Sequence, residues 1–154
     1  MRIEAMPMEH LAQLLQVQLE QGVAPLRVVG TSMSPTFRSN KDTVYLKKVD
    51  SPLAKGDVIL YLRENGQYVL HRIIAVKNDV LILCGDNQFA PERLKPSQVI
   101  ARVEGFCRNG KDYSVTHAGY RFWVWLWVGL YPVRRPLILL RRCLGRIRRF
   151  FKRR

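Results

Sequence analysis

The chain has 154 residues, 47% of them hydrophobic, and carries 26 Lys and Arg against 12 Asp and Glu, for a formal charge of +14. That is enough for one domain with a core of its own. Three cysteines, Cys84, Cys107 and Cys143, are an odd number without metal-ligand spacing, which argues against a disulfide framework or a cysteine metal site and fits a reducing compartment.

The charge is unevenly placed. The last acidic residue is Asp112, and residues 113–154 hold 11 Lys and Arg with no acid. The rest has 15 basic residues against 12 acidic, a net +3. The body reads as an ordinary soluble domain and the tail as a polycation that suits an anionic membrane or, second to it, a nucleic acid.

The first residues, Met-Arg-Ile-Glu-Ala-Met-Pro, open without the apolar run of a secretory leader. From Met8 to Gln21, Leu11, Leu14, Leu15 and Leu19 recur at helical spacing and Gly22 stops the pattern, so an amphipathic helix is predicted, too short and polar to cross a bilayer. Strands follow at 26–29, 43–46, 57–62, 67–76, 80–83 and 99–105, with Glu64-Asn65-Gly66 marking a hairpin between the third and fourth. Short strands with such punctuation predict a mainly β, antiparallel fold, closed or folded over.

Residues 118–154 differ in kind. Phe122 to Tyr131 is apolar on every face and includes Trp123, Trp125 and Trp127. Beyond Pro136, apolar pairs alternate with Arg141, Arg142, Arg148 and Arg149, the pattern of a basic amphipathic helix. Spanning a bilayer with 122–140 would bury Arg134 and Arg135, at roughly 2.5–3.5 kcal/mol each on insertion scales. An in-plane helix avoids that cost, with the Trp residues at the interface and the Arg residues on headgroups. The expectation is peripheral attachment to the cytoplasmic face of a membrane.

Chemistry is concentrated upstream. In Val28-Val29-Gly30-Thr31-Ser32-Met33-Ser34-Pro35-Thr36, a strand runs into a turn that carries a serine. A hydroxyl is a poor nucleophile without a base in reach, and Tyr68-Val69-Leu70-His71-Arg72-Ile73-Ile74 supplies an imidazole within a strand. Near pH 7 an unperturbed imidazole is mostly neutral and can take a serine proton. His10 and His117 lack such a setting and read as surface residues.

Four segments, Gly30-Thr31-Ser32-Met33-Ser34-Pro35-Thr36, Lys55-Gly56-Asp57-Val58-Ile59, Val69-Leu70-His71-Arg72-Ile73-Ile74 and Cys84-Gly85-Asp86-Asn87-Gln88, come in an order that resembles the type I signal peptidases and the LexA-type self-cleaving proteins. The resemblance covers about residues 25–106. It implies a shared β-rich serine-peptidase fold, with Ser32 as nucleophile and His71 as base. His where most bacterial signal peptidases have Lys is similar to the endoplasmic-reticulum type. Asp86, in the Gly-Asp-Asn motif, and Glu92, slightly downstream, are alternatives for the acid that orients His71. The resemblance also implies that Met33 lines the substrate side. The Ser32 backbone N–H is one oxyanion donor. Gly30 resembles the LexA-type pattern and brings no hydroxyl, and Thr31 can point either way, so the second donor stays open.

Three parts are therefore expected: an N-terminal helix over 1–22, a catalytic β-domain over 23–117 and a membrane-interacting tail over 118–154. The implied activity is a serine endopeptidase that cleaves a peptide or protein precursor after small side chains through an acyl-enzyme, with no metal and no cofactor. The competing reading is a non-catalytic β-module that binds membrane or nucleic acid through its tail.

Overall fold

The computed structural model describes residues 8–134 and 136, the first five of them by backbone alone. Helix α1 spans Met8–Glu20 and buries Leu15 and Leu19, one turn apart, while Leu14 and Val17 face outward. It stops where Gly22 takes a φ of 121° and donates its N–H to the Leu19 carbonyl.

Eight strands follow: β1 Val23–Arg27, β2 Thr43–Lys47, β3 Val58–Leu62, β4 Tyr68–Lys77, β5 Val80–Cys84, β6 Glu92–Leu94, β7 Val99–Arg108 and β8 Lys111–Ser114. Every pairing is antiparallel, in the order β1-β2-β7-β3-β4-β5-β6, with β8 also on β7. Bulges at Tyr45/Leu46, Leu60/Tyr61 and Ile73/Ala75 shift the register, and such insertions bend strands and increase their twist. The bent sheet keeps two cores. Leu15, Phe37, Val44, Leu46, Val58, Leu60 and Val103 belong to one; Ile59, Tyr61, Ile73, Leu81, Leu83 and Leu94 belong to the other. Strand β3 sends alternate residues into each, which is why Val-Ile-Leu-Tyr is continuously apolar rather than alternating.

The antiparallel β-fold expected from the sequence is the fold observed. The first strand lies earlier than the predicted 26–29 and contains Pro25, tolerated because β1 is an edge that pairs only with β2. The short strands β6 and β8 were not predicted.

After β8 the chain enters helix α2, Ala118–Gly129, and a 3-10 turn at Tyr131–Val133. His117 is its N-cap, accepting the Gly119 N–H on Nδ1 at 3.2 Å. The helix packs on the β-structure: Val128 is buried, and the Tyr120 ring lies 5.8 Å from that of Phe106. No helix among the described residues is long and apolar enough to cross a membrane.

One ion pair ties these parts together. Arg72 on β4 and Asp86, just past β5, are both fully buried, and the guanidinium makes two hydrogen bonds to the carboxylate, at 2.9 and 2.7 Å. Arg72 also donates to the Gly56 carbonyl at 2.8 Å, fixing the turn before β3. Burial works against the guanidinium charge, but the adjacent carboxylate outweighs it and raises the Arg72 pKa. Removing one partner of such a pair leaves an uncompensated charge and costs about 3–5 kcal/mol. Asp86→Ala is therefore expected to lower unfolding free energy by about that amount in a urea titration.

Candidate active site

The serine turn is a compact set of local hydrogen bonds. Gly30 takes a φ of 83°, which reverses the chain after Val29. The Ser34 N–H then donates to the Thr31 carbonyl at 3.1 Å, and the Phe37 N–H to that of Met33 at 2.9 Å. Buried Phe37 and Met33 anchor the turn in the first core, while Ser32 stays partly exposed. Its carbonyl is held from below by the Gly85-Asp86-Asn87 loop, where Asn87 N–H donates to Ser32 O at 2.7 Å. A side chain at Gly85 would place its Cβ 2.8 Å from that same oxygen, so glycine is what lets the two loops touch.

Strand β4 brings the imidazole. His71 pairs in register with Ile59, and alternation sends its side chain to the face opposite Arg72. Ser32 and His71 line one cavity of about 280 Å³, walled by Leu15, Val28, Met33 and Leu70. They share it without a direct hydrogen bond between them among the described residues, a looseness common in unliganded sites. A larger cavity of about 590 Å³, between α2 and the Lys55–Asp57 turn, holds neither residue.

Behind His71 stands a relay. Tyr61 Oη lies 3.1 Å from His71 Nδ1 and 2.9 Å from Glu92 Oε2, and Glu92 Oε1 is 3.4 Å from Nδ1. Arg63 forks onto both Glu92 oxygens. Burial alone would raise the Glu92 carboxyl, but the hydrogen bonds from Arg63 and Tyr61 hold it below its ordinary value. An ionised carboxylate only accepts, so the single Tyr61 proton goes to Glu92 and His71 Nδ1–H donates to Tyr61 Oη. That tautomer leaves the Nε2 lone pair free. Burial pushes the imidazole down to about 4, nearby Arg63 adds to the effect, and Glu92 opposes it.

The two acids considered in the sequence thus occupy different places. Glu92 stands beside His71, whereas Asp86 is bound by Arg72 and by the Thr36 hydroxyl at 2.5 Å. Met33 belongs both to the cavity wall and to the core. Gly30 and Thr31 are exposed at the rim and do not line the cavity. Helix α2 separates the tryptophans: Trp125 faces solvent, 71% exposed, while Trp123 and Trp127 stack on each other with ring centroids 5.0 Å apart. Arg141, Arg142, Arg148 and Arg149 lie outside the described residues, as does the helix expected there. No group of His, Cys, Asp and Glu among the described residues could hold a metal.

Sequence reasoning did not single out Tyr61, Arg63 or Thr36. The hairpin register carried a signal for Tyr61: with Ile59 opposite His71, Tyr61 is the diagonal neighbour of His71 on the same face.

The bent antiparallel sheet thus sets a turn serine and a strand histidine around one cavity. The family described as Peptidase S24-like matches residues 5–104, and the chain belongs to it. Membership places it among hydrolases with the LexA-like β-fold. No curated protein matches it in sequence.

The relay makes a spectroscopic prediction. In a ¹⁵N-resolved titration, His71 should keep the Nδ1–H tautomer and protonate with a midpoint near pH 4. Glu92→Gln should lower that midpoint further, because the carboxylate favours the imidazolium. A midpoint near the ordinary 6.5 would contradict the burial argument.

Proposed function

We propose that the protein is a serine endopeptidase in which Ser32 attacks, His71 takes and returns the proton, and Glu92 with Tyr61 orients the imidazole. The observation that carries this reading is the shared cavity, with a turn serine on one wall and a carboxylate-backed histidine on the other. The Ser32 proton passes to His71 Nε2 as Oγ bonds to the scissile carbonyl carbon. The imidazolium, stabilised by Glu92, then gives that proton to the leaving amine as the peptide C–N bond breaks, and water repeats the sequence on the acyl-enzyme. The Ser32 N–H is the first oxyanion donor in this scheme. Histidine as base sets the enzyme beside the endoplasmic-reticulum type of signal peptidase. The resemblance to signal peptidases suggests small side chains next to the cut, in a peptide or protein precursor.

The reading extends to where the enzyme works. Phe122 and Trp125 are 64% and 71% exposed and stack with centroids 5.9 Å apart, and Leu126 and Val133 are exposed as well. This apolar patch leads into the acid-free, basic tail, which fits an anionic lipid surface better than a nucleic acid backbone, since lipid takes up the aromatic groups as well as the charge. The location we propose is peripheral attachment at the cytoplasmic face.

Two experiments test these statements. A fluorophosphonate probe should label the wild-type protein at Ser32, found by peptide mapping, and should label neither Ser32→Ala nor His71→Ala. Labelling of Ser32→Ala to the wild-type extent would refute the assignment and favour a non-catalytic module. Full-length protein should sediment with phosphatidylserine-containing vesicles more than with phosphatidylcholine vesicles, and salt should reduce the difference without abolishing binding. Phe122→Ala with Trp125→Ala should weaken binding to both kinds; unchanged binding would remove the patch from the account.

A further inference from the structure

Helix α2 and the 3-10 turn after it lie beyond residue 104, where the family match ends, yet together they reach the serine turn and the groups that support it. Trp123 Nε1–H donates to the Thr36 hydroxyl oxygen at 3.0 Å, and that hydroxyl donates its own proton to Asp86 at 2.5 Å. Tyr120 Oη lies 3.4 Å from Arg72, the neighbour of His71. Tyr131 Oη donates to the Phe89 carbonyl at 3.3 Å, in the loop joining Asp86 to Glu92. Arg134, 1% exposed, sits 3.6 Å from Asp86 over the rings of Trp127 and Tyr131.

Thr36 is the crossing point. It lies four residues past Ser32 at the far end of the same turn, is 6% exposed, and its carbonyl also accepts from Arg108. The turn is thus held at two places: by Asn87 at the Ser32 carbonyl and by Asp86, Trp123 and Arg108 at Thr36. Only the hydroxyl of Thr36 can accept from the indole and donate to the carboxylate at once. Without it, the part-buried indole N–H loses its acceptor, and Asp86 Oδ2 keeps only its bond from Arg72.

We propose that α2 is a strap that positions the serine turn, with Trp123 and Thr36 as positioning residues for Ser32. Neither touches the reacting atoms; both fix where the turn sits relative to the Gly85-Asp86-Asn87 loop and so to His71. A catalytic group displaced by a fraction of an ångström loses much of its rate while the fold survives. The inference rests on the peptidase reading for its consequence, though not for its geometry.

The test uses full-length protein and two independent readouts. The first is the rate of Ser32 labelling by a fluorophosphonate at pH 7. Thr36→Val keeps the shape and removes the hydroxyl, Thr36→Ser keeps the hydroxyl, and Trp123→Phe keeps a ring and removes the N–H. Thr36→Val and Trp123→Phe should label at least about five-fold more slowly, while Thr36→Ser should stay within about two-fold of wild type. The second readout is amide hydrogen exchange at Ser34, Phe37 and Asn87, which should quicken in Thr36→Val and Trp123→Phe while β7 stays protected. Wild-type labelling by Thr36→Val and Trp123→Phe would overturn the proposal, as would equal loss in Thr36→Ser. If the wild type is not labelled at all, the peptidase reading fails, and exchange alone decides: faster exchange at those amides supports the strap and unchanged exchange ends it.

Discussion

The buried pair of Arg72 and Asp86 is the constraint on which the remaining structure depends. Its two ends lie on different elements, a strand and the loop after the next strand, and each stands next to one part of the candidate site. Arg72 follows His71 directly, and alternation along β4 turns the imidazole toward the cavity when the guanidinium turns toward the carboxylate. Asp86 lies between Gly85 and Asn87, which hold the Ser32 carbonyl by close approach and by a hydrogen bond. The salt bridge therefore links the loop under the serine turn to the histidine strand, alongside the bonds that Trp123 and Arg108 make to Thr36. Its burial is costly unless both partners are present and well bonded, and that cost makes the geometry all-or-none.

The environment of His71 favours the neutral form strongly. An imidazole held down near 4 is a weaker base than a free one, but it remains unprotonated at neutral pH. The ionised Glu92, held in that state by Arg63, balances the weakness by stabilising the imidazolium as it forms. Tyr61 converts a long approach between Nδ1 and the carboxylate into two ordinary hydrogen bonds. On the opposite side, α2 turns Trp123 and Val128 inward and Phe122 and Trp125 outward. One helix thus presents an apolar face to the groups under Ser32 and another apolar face to the surroundings.

Much of this was legible in the sequence, for identifiable reasons. Gly30-Thr31-Ser32 and Gly85-Asp86-Asn87 could be read because each needs glycine at a turn or a close contact, a requirement local to a few residues. The long strands β4 and β7 could be read because their apolar content spans many positions. Strand β6 has one apolar residue in three and is set by pairing with β5, so no local pattern announces it. The roles of Asp86 and Glu92 were not separable along the chain, since both are single acids near one motif; only the partners, Arg72 for one and Tyr61 with Arg63 for the other, distinguish them. The inward and outward faces of α2 were hidden for a different reason. A run of Phe, Trp, Val and Leu is apolar all round, and its facing follows from where Thr36 and Phe106 lie in space.

The central claim is that His71, in its buried neutral form, serves Ser32 as base. Its most direct test is to measure the rate of Ser32 labelling from pH 3 to 8 in one sample series and the His71 protonation midpoint by NMR in the same buffers. The account predicts that the acid limb of the labelling rate and the imidazole titration coincide, with a common midpoint near pH 4. Labelling whose acid limb lies apart from the His71 titration, or that is flat through it, would contradict the account.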